Sequence, residues 1–202
     1  MIALVDYGAG NLTSVKKALA AIGAEVFVPA HPGELAAAGS VIVPGVGHFD
    51  ATRTLDRPWV DAIRALVDAG RPLLGICLGM QWLFEGSEEA PDWPGLGIFA
   101  GRCYRLSGGT GAPRLKVPHV GWNSLAFCRA APIADGIPRD AQVYFTHSYA
   151  APLTPDTVAS TEHGERFAAI VARGNVAGVQ FHPEKSGDVG LRILENFVRR
   201  AG

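Results

Sequence analysis

At 202 residues with 48% hydrophobic side chains, the chain can bury a sizeable core without disulfides or a metal, and it reads as one domain over residues 1–202. A formal net charge of -1 and an isoelectric point near 6.6 exclude a surface built for nucleic acid or an anionic membrane. Cys77, Cys103 and Cys128 are odd in number and contain no C-x-x-C pair, so neither a disulfide framework nor a metal site is expected, and the compartment expected is the cytoplasm.

Residues 2–5 read as a first, central strand, stopped by Asp6 and too short for a signal peptide or membrane span. Val15, Ala18, Leu19 and Ile22 then recur at helical spacing, with Lys16 and Lys17 on the other side and Gly23 closing the helix. Gly8 and Gly10 open like a dinucleotide fingerprint, but no third glycine follows at the required spacing. Residues 25–28 and 40–43 read as two further strands around a short helix near Leu35. The second runs into Pro44-Gly45-Val46-Gly47. Glycines there let backbone N–H groups approach a ligand, so Val46 and Gly47 with Leu78 are a candidate oxyanion hole; the alternative is an ordinary tight connection. Trp59, Ile63, Leu66 and Val67 make the next helix and complete a βαβ crossover.

Residues 73–76 are an apolar run behind Pro72, as in a strand covered on both faces of a parallel sheet. Cys77 follows, with Gly75 and Gly79 two residues to either side, where a side chain at a sharp turn would strike its neighbours. Met80, Gln81, Leu83 and Phe84 open a helix that puts Cys77 at the positive end of its dipole, where a thiolate is favoured. An isolated cysteine is more often a core residue; the Gly-x-Cys-x-Gly setting makes this one a candidate nucleophile.

Residues 85–95 read as an acidic, Gly/Pro-rich loop near that turn, whose Glu88 and Glu89 either hold an amine or are simply solvated. Short strands are expected around Cys103-Tyr104-Arg105 and Leu125-Ala126-Phe127. Between them, residues 117–123 set a histidine, an aromatic and an amide in a Pro/Gly frame, which suits a shaped surface better than a strand interior. Residues 142–147, 157–161, 167–171 and 176–181 read as four more strands, and residues 188–200 as a closing helix with Val189, Ile193 and Phe197 inward. His182-Pro183-Glu184 falls where the last strand ends. Residues two apart on extended chain share a side, and Pro183 keeps His182 extended. Glu184 can then orient His182, and His182 can take the Cys77 proton.

Gly75-Ile76-Cys77-Leu78-Gly79-Met80-Gln81 followed by His182-Pro183-Glu184 resembles the nucleophile elbow and His-x-Glu pair of the class I (triad) glutamine amidotransferases. The resemblance implies an α/β fold with a flavodoxin-like, open, mostly parallel sheet and helices on both faces. It also implies a Cys77, His182, Glu184 triad that hydrolyses the side-chain amide of L-glutamine with no cofactor. Within the family, Pro44-Gly45-Val46-Gly47, Pro118-His119-Val120-Gly121-Trp122-Asn123, His147-Ser148-Tyr149 and Lys185-Ser186-Gly187 resemble the branch of glutaminase subunits that serve imidazole glycerol phosphate synthases. By that likeness Gly47, Gln81, Glu89, His147, Ser148 and Tyr149 surround the bound glutamine. Pro118, His119, Trp122, Asn123 and Lys185 would face a partner, a (βα)8-barrel cyclase that builds the ammonia into imidazole glycerol phosphate and aminoimidazole carboxamide ribotide in histidine biosynthesis. Two rival readings are a stand-alone cysteine hydrolase or chaperone on a similar sheet and a catalytically silent regulatory subunit. His182-Pro183-Glu184 argues against the first, and the intact Cys-His-Glu set against the second.

Overall fold

Short apolar runs alternating with amphipathic helices build the first half of the molecule, which a computed structural model describes over residues 1–111 and 114–200. Strands β1 (Ile2–Leu4), β2 (Val26–Phe27), β3 (Ser40–Val43) and β4 (Leu73–Ile76) pair in parallel in the order β2-β1-β3-β4. Helices α1 (Leu12–Ala21) and α2 (Arg57–Asp68) lie between them in the chain. Each helix starts where a side chain satisfies a free N–H: Asn11 accepts from Ser14 and Asp56 from Trp59. Successive strand residues go to opposite faces. Leu4, Ile42, Leu74 and Ile76 pack with Val15 and Leu19 of α1, whereas Ala3, Val41, Val43 and Leu73 pack with Ile63 and Leu66 of α2. Because both faces are covered, these strands read as continuous apolar runs rather than alternating ones.

Helix α3 (Leu78–Trp82) follows β4 directly, and after it come β5 (Gly86–Ser87), β6 (Ala90–Pro94), β7 (Arg102–Arg105), β8 (His119–Ser124), β9 (Ala126–Phe127), β10 (Gln142–His147) and β11 (Tyr149–Ala150). The chain ends through β12 (Thr157–Glu162), β13 (Arg166–Arg173), β14 (Val176–Val179) and α4 (Gly187–Arg199). Strand β14 inserts in parallel beside β4, and β13, β12 and β9 continue antiparallel, giving an eight-stranded sheet in the order β2-β1-β3-β4-β14-β13-β12-β9. Strands β11, β7, β5 and β6 form a small second sheet, and β8 pairs with β10 in a two-stranded ribbon. Helix α4 buries Ile193, Leu194 and Phe197 on the face that carries α1. The expected open α/β sheet with helices on both faces is the one observed.

Four details differ from the sequence reading. Strand β1 is second from the edge, and β4 and β14 hold the middle, because the last parallel strand returns to the side of β4 away from β3. Residues 85–95 are not a plain loop but contain β5 and β6. Residues 119–124 are strand β8, in register with β10 through pairs such as Asn123 with Val143. Their period-two pattern is masked because a histidine and an amide occupy inward positions where apolar residues are usual. Helix α3 has only five residues. Gly95 packs against its end so closely that a Cβ there would lie 2.1 Å from the Phe84 carbonyl oxygen, and Leu96 and Ile98 donate to the carbonyls of Trp82 and Leu83. Those bonds take the carbonyls that a longer helix would use.

The consequence for the site is one of placement. Strands β3, β4 and β14 are adjacent and parallel, so the Pro44 turn, Cys77 and His182 all leave the same edge of the sheet at neighbouring strand ends, where ligands gather in open α/β folds.

Candidate active site

Cys77 is the only non-glycine residue at positive φ among the described residues, with φ 53° and ψ -108°. A side chain rarely adopts that conformation, and here it is imposed from both ends: Cys77 N–H donates to Val179 O at 2.8 Å, and Gln81 N–H donates to Cys77 O at 3.0 Å. A Cβ at Gly79 would lie 1.8 Å from the Val43 carbonyl oxygen, and one at Gly75 would lie 2.6 Å from the Gly79 carbonyl oxygen. Glycine is therefore obligatory at both flanks. With a helix as short as α3 behind it, the dipole support expected for the thiolate is small. The stronger electrostatic partner is His182.

His182 Nδ1 lies 2.7 Å from Glu184 Oε1, and both side chains are buried. The main chain of His182 is fixed by its N–H donating to Tyr144 O at 2.9 Å and by its carbonyl accepting from Ser186 Oγ at 2.6 Å. Burial pulls the imidazole down, but the nearby Cys77 sulfur and the hydrogen-bonded Glu184 carboxylate outweigh it and push His182 up to about 10. The ring therefore holds its proton more tightly than a free imidazole does. His182 Nε2 has no hydrogen-bond partner among the described residues, so the pull of the Cys77 sulfur on the ring is one of nearness and charge rather than of an aligned bond. Loose pairs of this kind tighten when substrate arrives.

A cavity of about 220 Å³ opens onto Cys77. Gly47, Gln81, Glu89, His147, Ser148 and Tyr149, the residues expected around glutamine, all line it. Thr146 and Pro118 line it too. Thr146 had no signal beyond standing next to His147, and Pro118 was expected at a partner surface. Glu89 Oε2 accepts the Phe49 N–H at 2.8 Å, which ties the small sheet to the segment after the Pro44 turn. The Gln81 amide nitrogen donates to Tyr149 O at 2.8 Å and to Gln180 Oε1 at 3.2 Å, so only its Oε1 is left to meet a ligand. Gln180 also places Nε2 3.7 Å from Cys77 Sγ. The sequence reading passed over this residue, although a lone polar side chain in an apolar strand, two before His182 and so on the same side, was a usable signal.

The backbone donors expected at the oxyanion hole are engaged elsewhere. Leu78 N–H points to Gly45 O at 3.3 Å, because the Pro44 turn folds its own carbonyl over the start of α3, and Val46 N–H points to Ala9 O, in the loop after β1, at 2.6 Å. Gly47, at φ 99°, lies in the cavity wall. His147 is also committed: Nδ1 faces Tyr149 O at 2.9 Å and Nε2 faces His119 Nδ1 at 3.1 Å. A carbonyl can only accept, so His147 donates through Nδ1 and accepts at Nε2 from His119. His119 Nε2 in turn accepts from Asn123 Nδ2 at 3.3 Å, whose amide also donates to Glu162 O at 2.8 Å. Burial, with smaller help from the neighbouring His163, lowers His119 to about 4. Burial likewise brings His147 to about 3, against the pull of the Tyr149 carbonyl. Both rings are neutral.

The residues expected at a partner surface therefore divide. His119 and Asn123 turn inward, because β8 alternates and their polar atoms are needed by the relay to His147. Trp122 is 55% exposed beside Val120. It stands edge-on to Tyr144, over whose ring Lys185 Nζ sits at 5.8 Å.

A cysteine elbow opening on a cavity, with a buried His-Glu pair at the adjoining strand end, is an arrangement suited to acyl transfer through a thiol. A family model described as glutamine amidotransferase class-I matches residues 3–201. The chain belongs to that family. Among its curated class-I relatives is the imidazole glycerol phosphate synthase subunit HisH of Gloeobacter violaceus, 51% identical over 206 residues covering 99% of this chain and 89% of that one. The HisH subunit of Halobacterium salinarum is 48% identical over 98% of this chain and 92% of its own, and that of Thermococcus kodakarensis 44% identical over 98% and 100%. A crystal structure of a glutamine amidotransferase superposes with a TM-score of 0.78 at 22% identity, covering 100% of both chains. The structure of PurLQS from Thermotoga maritima gives 0.76 at 18% identity, over 98% of this chain and 97% of the other. At such identities the superpositions speak for the class-I amidotransferase fold alone.

Proposed function

We propose that this chain is the glutaminase subunit of an imidazole glycerol phosphate synthase in histidine biosynthesis, with Cys77, His182 and Glu184 as its triad. The observation that carries the reading is the strained Cys77 elbow beside the buried His182–Glu184 pair, 2.7 Å apart, opening on a cavity walled by the amidotransferase motifs. Relatives 44 to 51% identical over nearly the whole chain carry that subunit name. The chain is thus one subunit of a larger synthase.

In the route the geometry supports, the Cys77 thiolate attacks the side-chain amide carbon of glutamine, and the carbonyl oxygen becomes an oxyanion met by backbone N–H groups of Leu78 and the Val46–Gly47 turn. His182 gives its proton to the leaving nitrogen. The C–N bond breaks, ammonia departs, and a glutamyl thioester remains. Acylation removes the negative charge from sulfur, and with it one of the influences that hold the proton on His182. The ring is then free to act as base. It takes a proton from water as the oxygen attacks the thioester, glutamate leaves, and the thiolate and protonated imidazole are restored. Glu184 keeps Nδ1 protonated and the ring aimed through both steps.

Leu78 and Val46 N–H groups held by the Gly45 and Ala9 carbonyls support a low resting activity, because the turn must rearrange before the oxyanion is met. The partner that triggers this is a (βα)8-barrel cyclase, which receives the ammonia. Trp122, Lys185 and Pro118 supply the contact surface, and the complex works in the cytoplasm. The decisive experiment measures ammonia release from glutamine by the purified chain, with and without the cyclase carrying its ribotide ligand. Strong stimulation, abolished by Cys77→Ala, is expected; equal rates with and without the partner would overturn the coupled reading.

A further inference from the structure

Gln180 is fully buried between the end of β14 and His182, and both ends of its side-chain amide have partners. Its backbone N–H donates to Ala169 O at 2.9 Å. The direction of its side-chain amide follows from its neighbours. Tyr149 O accepts only, so the Gln81 atom 2.8 Å from it is the NH2. The same nitrogen lies 3.2 Å from the Gln180 side chain and cannot accept, so Gln180 must present its oxygen there. That turns the Gln180 NH2 toward Cys77 Sγ, 3.7 Å away. His147 Nδ1–H meets the same Tyr149 carbonyl at 2.9 Å, which holds the acceptor at the head of this chain in place.

We propose that Gln180 is a further catalytic residue: its NH2, oriented by Gln81 and the Tyr149 carbonyl, donates to the Cys77 sulfur and stabilises it as a thiolate. A thiolate on a residue only 5% exposed has little water to solvate it, and a buried anion without donors is costly. Helix α3 is too short to supply the need. His182 serves the sulfur only while protonated, and it gives that proton away during acylation. Gln180 cannot lose its protons, so it is the constant donor of the site. Its effect is largest when the thiolate is expelled from the tetrahedral intermediate that yields glutamate, since a thioester sulfur is a poorer acceptor than the thiolate it becomes. Stabilising the thiolate does lower its intrinsic nucleophilicity, but a tenfold gain in thiolate costs only about threefold in reactivity. The net effect favours turnover.

The inference rests on Cys77 being the nucleophile, and its test needs neither glutamine nor a partner. Alkylation of Cys77 by iodoacetamide is followed from acid to alkaline pH in a chain carrying Cys128→Ser, since Cys128 is an exposed free thiol. Gln180→Met keeps length without the amide, and about tenfold slower alkylation at neutral pH is expected, with the profile displaced to higher pH. Gln180→Glu keeps an acceptor for Gln81 but sets an anion in place of the donor, and a larger displacement in the same direction is expected. Profiles of the folded variants that superpose on the parent, or move to lower pH, overturn the proposal. If neither variant folds, side-chain amide NMR of the parent chain decides: a Gln180 NH2 resonance that moves as Cys77 is alkylated supports the contact, and one that does not move overturns it. Absence of ammonia release together with an intact Gln180 effect would instead strike the glutaminase reading alone.

Discussion

His182 shows how a few atoms set the chemistry. Its ring is buried, which alone would favour the neutral form, yet two neighbours of opposite charge hold the proton on it. Glu184→Gln keeps shape and a hydrogen-bond acceptor while removing one of those charges, and it lets the ring present the wrong tautomer. A loss of about 10²- to 10⁴-fold in kcat is expected, with KM for glutamine changed far less, measured on the partner-activated enzyme. The proposed triad positions stand out in the sequence because Cys77 and His182-Pro183-Glu184 carry their own local frames, two glycines in one case and a proline in the other. Gln180 has no frame. Its role emerges only when β14 lies beside β4 and Gln81 reaches across from α3, contacts separated by 103 and 99 residues along the chain.

At the scale of elements, the β8–β10 ribbon carries a relay of neutral histidines between its exposed edge and the cavity. His119 and His147 sit below the usual 6.5, at about 4 and about 3. The folded chain thus refuses protons that the unfolded chain accepts once pH falls below 6.5. Stability from these two sites is whole above 6.5 and is lost as pH drops toward 4 for His119 and toward 3 for His147. The urea midpoint is expected to fall over that interval, and to fall less in His119→Gln; a midpoint unchanged between pH 6.5 and pH 4 in the parent would contradict the relay. Sequence patterning missed this strand for a physical reason. Inward positions that normally hold apolar side chains hold a histidine and an amide satisfied by one another, so the alternation of burial is present without an alternation of hydropathy. The strands of the main sheet were legible because they are covered on both faces by apolar side chains.

For the molecule as a whole, the site exists because three parallel strands that are not consecutive in sequence end side by side. The order of motifs along the chain implied that edge only through a family likeness; the insertion of β14 next to β4, and the small sheet that brings Glu89 to the segment after the Pro44 turn, depend on pairing no local pattern encodes. The engaged Leu78 and Val46 N–H groups were likewise invisible in the sequence, since the same turn residues permit either backbone arrangement.

The backbone at Cys77 also bears on how this chain drifts under mutation. Gly75 and Gly79 have no space for a Cβ, so a population of variants selected for folding alone would retain them, and their retention marks packing rather than chemistry. Position 77 is the reverse. At φ 53° and ψ -108° glycine is the residue the backbone prefers, and Cys77→Gly is expected to raise stability by about 1 kcal/mol in denaturant titration while ending ammonia release. Relaxed selection would therefore erase the thiol first and leave its glycine frame standing, and a related chain with the frame but no cysteine is best understood as a descendant that has lost the reaction and kept the fold.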